Sequence, residues 1–96
     1  MKDDEIIKAI YNAIDDVNEL LPKEEKLRKE PNTPIFDVLS SLLILNFIVK
    51  LEENIKEVFN VTINLADELI VLKKNNPLKN VQNLKNHISS NLKNNQ

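Results

Sequence analysis

The chain has 96 residues, of which 42% are apolar, with a net charge of −2, no cysteine and no glycine. That length and balance fit one small globular domain with a modest core. Lack of cysteine excludes disulfides, thiolate metal sites and a cysteine nucleophile; lack of glycine argues against phosphate-cradling loops, which need close backbone approach and positive φ.

The charge is unevenly spread. Residues 1–72 hold all 15 acids against 8 bases, a balance of −7, and residues 73–96 hold five lysines and no acid, a balance of +5. No aromatic residue is interleaved with those lysines, so nucleic-acid binding is not expected. The acidic body suits partners with basic docking patches. His87 is the only histidine; it reads as a solvent-facing or partly buried helical residue, and no metal site is expected. The acidic start, Met1-Lys2-Asp3-Asp4-Glu5, is unlike a secretory leader. The run from Leu42 to Val49, broken by Asn46, is too short to span a bilayer. A cytoplasmic, monomeric protein is the expectation.

Ile6, Ile10, Ile14, Val17 and Leu21 step by 4, 4, 3 and 4. This is one stripe of a first helix over about 4–21, with Asp3 or Asp4 available as cap and Pro22 as stop. Residues 22–37, PKEEKLRKEPNTPIFD, carry three prolines and many charges, and predict a long loop pinned by Leu27, Ile35 and Phe36. A helix starting at Thr33, with Pro34 in its first turn, is a rival reading.

A second helix is predicted over 41–59. Leu42, Leu45, Ile48, Leu51 or Glu52, Ile55 and Phe59 trace its inner face. Its front half is apolar nearly all round, as in a helix with neighbours on several sides. Val61-Thr62-Ile63 is β-branched but too short to build a sheet. Asn64 reads as the N-cap of a short third helix to about Leu72, with Asp67 at its third position. After a KKNNP turn, Asn80 caps a last helix with the stripe Val81, Leu84, Ile88 and Leu92. The ordered core is expected over about 4–92, as an all-α bundle of three main helices and one short one.

VLSSLLILNFIV, residues 38–49, holds two adjacent serines. Taken by itself the pair reads as a double-serine helix cap. The surrounding chain adds a second reading. Leu39-Ser40-Ser41-Leu42 stands where the acyl carrier protein family has Leu-Asp-Ser-Leu at the start of its second helix. Asn18-Glu19-Leu20-Leu21-Pro22 resembles the family's NELLP-like end of helix 1. Residues 31–36, PNTPIF, resemble its PDTxLF-like loop. Residues 58–68, VFNVTINLADE, resemble its EFGVSITLADE-like run, and residues 76–88 resemble its SPFxTVxxLAxYI-like ending. The likeness spans roughly residues 5–92 and lies in many weak matches in the right order. Two departures stand out. Ser40 replaces the family's aspartate, and the loop before it, glycine-containing in relatives, is here Asp37-Val38-Leu39.

The resemblance, to a longer-helix branch of the family, implies an acyl-carrier-like four-helix bundle with a long loop after helix 1. It implies 4′-phosphopantetheine on Ser41, whose terminal thiol would carry an acyl or aminoacyl group as a thioester. Ser40 would then be the helix N-cap. Leu42, Leu45, Phe47 and Ile48 are candidates to line an acyl pocket. Glu52, Glu53, Glu57, Asp67 and Glu68 are candidates for an acidic docking face. Implied partners are a phosphopantetheinyl transferase and acyl-activating or acyl-transferring enzymes of fatty acid, polyketide or specialised lipid biosynthesis. No catalytic residue is expected, since a chain with one histidine and no cysteine has little for covalent catalysis of its own. Ser89 and Ser90 match no motif and read as surface residues. The alternative is a degenerate carrier fold that serves as a helical interaction module and is never pantetheinylated.

Overall fold

The computed structural model describes residues 2–35, 38–63, 65 and 79–94, apart from the side chains of Lys2, Ser41, Lys93 and Asn94. Three α-helices, α1 (Lys2–Asn18), α2 (Ser41–Phe59) and α3 (Val81–Asn94), and a 3₁₀ turn at Lys23–Glu25 make up the regular structure among these residues. No strand occurs among them; Pro34 and Asn80 form an isolated antiparallel bridge.

Ile6, Ala9, Ile10, Ala13, Ile14 and Val17 of α1 are all buried. At about 100° per residue, the positions from Ala9 to Ile14 open an arc of roughly 140°, wider than one contact stripe. The width has a cause: α1 packs against both α2 and α3, while among the described residues no Cα atom of α2 comes within 8 Å of one in α3. Alanine at positions 9 and 13 lets a neighbouring helix approach closely. Asn54 of α2 uses that approach, its Nδ2 donating to the Ala9 carbonyl at 3.1 Å. From α2 the core takes Phe47, Ile48, Leu51 and Ile55, and from α3 it takes Val81, Leu84, Ile88 and Leu92.

The helix ends show where the periodic pattern overreached. The first helix starts at Lys2, so Asp3 and Asp4 lie within its first turn and are not its cap. There their charges still complement the positive end of the helix dipole. The same helix stops at Asn18 rather than near Leu21. Leu20 and Leu21 instead donate three residues back, to the Val17 and Asn18 carbonyls, the tightened ending common before a proline.

Asn18 also explains the early stop. Its side chain pairs with the backbone of Leu27 twice, Oδ1 accepting from the amide at 2.7 Å and Nδ2 donating to the carbonyl at 3.0 Å. Lys26 Nζ donates to the Asn18 carbonyl at 2.6 Å. Removing the paired amide leaves two half-buried polar groups without partners, a loss of about 1–3 kcal/mol. Asn18→Ala is therefore expected to lower stability by that amount and to speed amide exchange across residues 23–30. Unchanged exchange there would mean that the pin is dispensable.

Beyond the pin, the connection to α2 runs without helix through Thr33 and Pro34, against a helix starting at Thr33. Buried Thr33 donates its hydroxyl to the Arg28 carbonyl at 2.8 Å, and Ile35 is fully buried. Phe36 lies outside the described residues. The loop also completes α3: the Val81 and Gln82 amides donate to the carbonyls of Thr33 and Pro31. Asn80 Oδ1 accepts from the Asn83 amide at 2.8 Å, the cap geometry expected of that residue. The first-turn donors of α3 are thus met largely by a segment some fifty residues earlier in the chain.

At its far end α2 closes on Asn60, which adopts the left-handed conformation (φ 57°) and donates to the Lys56 carbonyl. Glycine usually fills such a position, and in a chain without glycine asparagine is the next best choice. Val61 and Ile63 then turn back onto the core. The predicted short helix over 64–72 lies outside the described residues, except for buried Leu65.

Candidate functional site

Ser41 is the first residue of α2, and Ser40 is its N-cap. The backbone of Ser40 is extended (φ −65°, ψ 163°), and its Oγ accepts from the Leu43 amide at 3.3 Å. The Ser40 carbonyl accepts the first helical bond, from Ile44 at 2.9 Å. The amides of Ser41 and Leu42 remain as the open donors of the first turn. That turn carries no carboxylate, and the positive end of its dipole favours an anion. Leu39, just before the cap, is buried, and its amide and that of Val38 donate back to the Ile35 carbonyl. The approach to the serine pair is held by packing and hydrogen bonds on its entry side.

The four apolar pocket candidates do not share one space. Phe47 and Ile48 are 0% and 2% exposed, whereas Leu42 and Leu45 are 69% and 51% exposed. The inner face therefore keeps Ile48, Leu51, Ile55 and Phe59 of the one traced in the sequence and departs from it at the front, where Leu42 and Leu45 face outward. It runs through Phe47, Ile48, Leu51 and Ile55, with Leu43, Ile44 and Phe59 packed against it. Leu42, Leu45 and Val49 form the outward face, which continues through Glu53 and Lys56 at steps of three and four. Where every turn offers apolar residues on all sides, periodicity cannot select the inner face. The broad surface of α1 selects it instead.

The acidic candidates separate as well. Glu53 and Glu57 are exposed and share one side of α2, Glu53 within 3.8 Å of Lys50. Glu52 points elsewhere: its Oε2 accepts from the Leu65 amide at 2.7 Å. A carboxylate spent on a neighbouring backbone amide is a structural partner, not a free docking charge. Asp67 and Glu68 lie outside the described residues. His87 is half-buried in α3, and Ser90 is exposed while Ser89 is half-buried. Among the described residues no group of three or more acidic, cysteine or histidine side chains is placed to hold a metal, and no helix is long and apolar enough to cross a membrane.

Two residues that hold the site escaped the sequence reading. Asn18 and Thr33 fix the loop that leads to Ser40, and both belong to the residue types that bond to nearby backbone in turns. Their place at the edges of a proline-bounded segment was the available signal.

The chain matches no protein-family model, no curated protein and no solved structure.

Proposed function

We propose that the chain is a carrier protein, bearing 4′-phosphopantetheine on Ser41 and passing an acyl or aminoacyl group between partner enzymes. The observation that carries this reading is the position of Ser41 at the head of α2, directly behind a serine N-cap. The residues present fit the group. A phosphodiester there would meet open first-turn amides and the helix dipole, worth about 0.3–1 kcal/mol at an exposed site, with no first-turn carboxylate to oppose it. When bound, the arm supplies the thiol that this cysteine-free chain lacks and holds its cargo as a thioester. The chain's own part is to present the serine on a fixed helix end. Glu53 and Glu57 are the acids open to a basic partner surface. The family likeness and an acyl-carrier-like arrangement of the bundle belong to this proposal, as do its transferase and acyl-enzyme partners.

A second reading, an unmodified helical interaction module, draws on the outward apolar residues Leu42, Leu45 and Val49. One experiment separates the two. Co-expression with a promiscuous phosphopantetheinyl transferase, followed by intact mass measurement, should show the gain of one arm in the wild type and none in Ser41→Ala. An unchanged wild-type mass would overturn the carrier reading and leave the interaction module, and a gain that persists in Ser41→Ala would overturn the assignment of the arm to Ser41.

A further inference from the structure

The loop after α1 carries an open surface pocket of about 570 Å³, lined by Lys26, Leu27, Arg28, Thr33, Pro34 and Val38 among others. Pockets of this size hold small organic ligands. Part of its lining is held by hydrogen bonds. Asn18 grips Leu27 through two hydrogen bonds, and Thr33 is bonded to the Arg28 carbonyl. Val38, at its rim, precedes Ser41 by three residues, so their Cα atoms are at most about 11 Å apart. A phosphopantetheine arm, extended, exceeds that span.

Resting on the carrier reading, we propose that this cavity receives the neutral stretch of the arm, shielding it when no partner enzyme is bound. The lining suits that stretch. Leu27, Pro34 and Val38 offer apolar surface for the arm's geminal dimethyl group. Arg28 offers donors for its amide carbonyls, and Asn32 offers both a donor and an acceptor. The cavity does not suit the phosphate. Glu24, Glu25 and Glu30 also line it, against two cations, and Lys26 is already engaged with the Asn18 carbonyl. The phosphate therefore stays at the α2 end, where the amides are, and the arm folds back along the loop.

The test uses the unmodified full chain and free 4′-phosphopantetheine, with backbone amide shifts read by NMR. Tethering raises the effective concentration to the millimolar range, so a site that serves a tethered arm need bind the free arm only at millimolar concentration. Saturable shifts centred on Leu27, Arg28 and Thr33 are expected. They should vanish in Val38→Trp, which fills the rim at a half-exposed position without touching the core. In the pantetheinylated protein, the arm's thiol should react several-fold faster with a neutral disulfide reagent after Val38→Trp than before.

No saturable shift at the loop, or equal thiol rates in the two proteins, would overturn the proposal. The outcomes for the two readings are distinct. Loop binding by free arm in a chain that gains no mass would remove the carrier reading and keep the cavity site. A mass gain without loop shifts would do the reverse.

Discussion

Phe47→Ala is expected to cost about 3–5 kcal/mol, the range for emptying a fully buried aromatic site, whereas Leu45→Ala should cost less than about 1 kcal/mol. The two residues are two positions apart in the same apolar run, and the periodic pattern placed Leu45, not Phe47, on the inner face. Phe47 is fully enclosed between helices, and Leu45 is half open to solvent. A domain of this size has a total stability of about 5–15 kcal/mol, so the Phe47 variant should lose a large share of it. Urea titration checks both: the midpoint should fall steeply for Phe47→Ala and barely for Leu45→Ala, with unchanged slope. Comparable midpoint losses would place Leu45 inside and restore the inner face traced through Leu42 and Leu45. The Leu45 result also bears on function. A residue that is exposed and energetically idle in the free chain is available to a partner.

The contrast between these two residues marks how far the sequence could be read. Existence and extent of α2 and α3 were legible because both carry their own end signals, Ser40 and Asn80 in front and the apolar stripe behind. The inner face of α2 was not, because its front half satisfies every rotation of the helix equally. What fits this rotation is a pairing between elements: the alanines of α1, too small to register as a hydrophobic stripe, and Asn54 of α2, a polar residue whose partner is a main-chain carbonyl forty-five positions away. The bond that Glu52 makes was illegible for a related reason. A charge on an amphipathic helix looks like a solvated or docking group until the chain returns with an amide at Leu65 for it to hold. The same holds at the head of α3, where the carbonyls of Pro31 and Thr33 meet the first amides. Local chemistry was readable, and long-range backbone pairing was not.

Ser40 allows stability and recognition to be separated. Serine and aspartate cap helices about equally well, so Ser40→Asp should leave the unfolding midpoint nearly unchanged, while Ser40→Ala should lose about 1 kcal/mol with the bond to the Leu43 amide. Modification should follow a different order. Under the proposed carrier function, an acid before the serine would give the transferase an added charged contact. A charge-assisted contact is worth about 1.5–3 kcal/mol, so Ser40→Asp should raise the rate of pantetheinylation roughly ten- to hundredfold over wild type. Initial rates of mass gain at fixed transferase concentration measure this directly. If Ser40→Asp gained nothing while the wild type was modified readily, the transferase would be reading another feature of the α2 entry, and Ser40 would count only as a cap. If Ser40→Ala were modified as fast as the wild type despite its lower stability, the cap itself would be irrelevant to presentation of Ser41. The expected pattern is the remaining one, in which the cap keeps the helix end in place and the added carboxylate makes it easier to recognise.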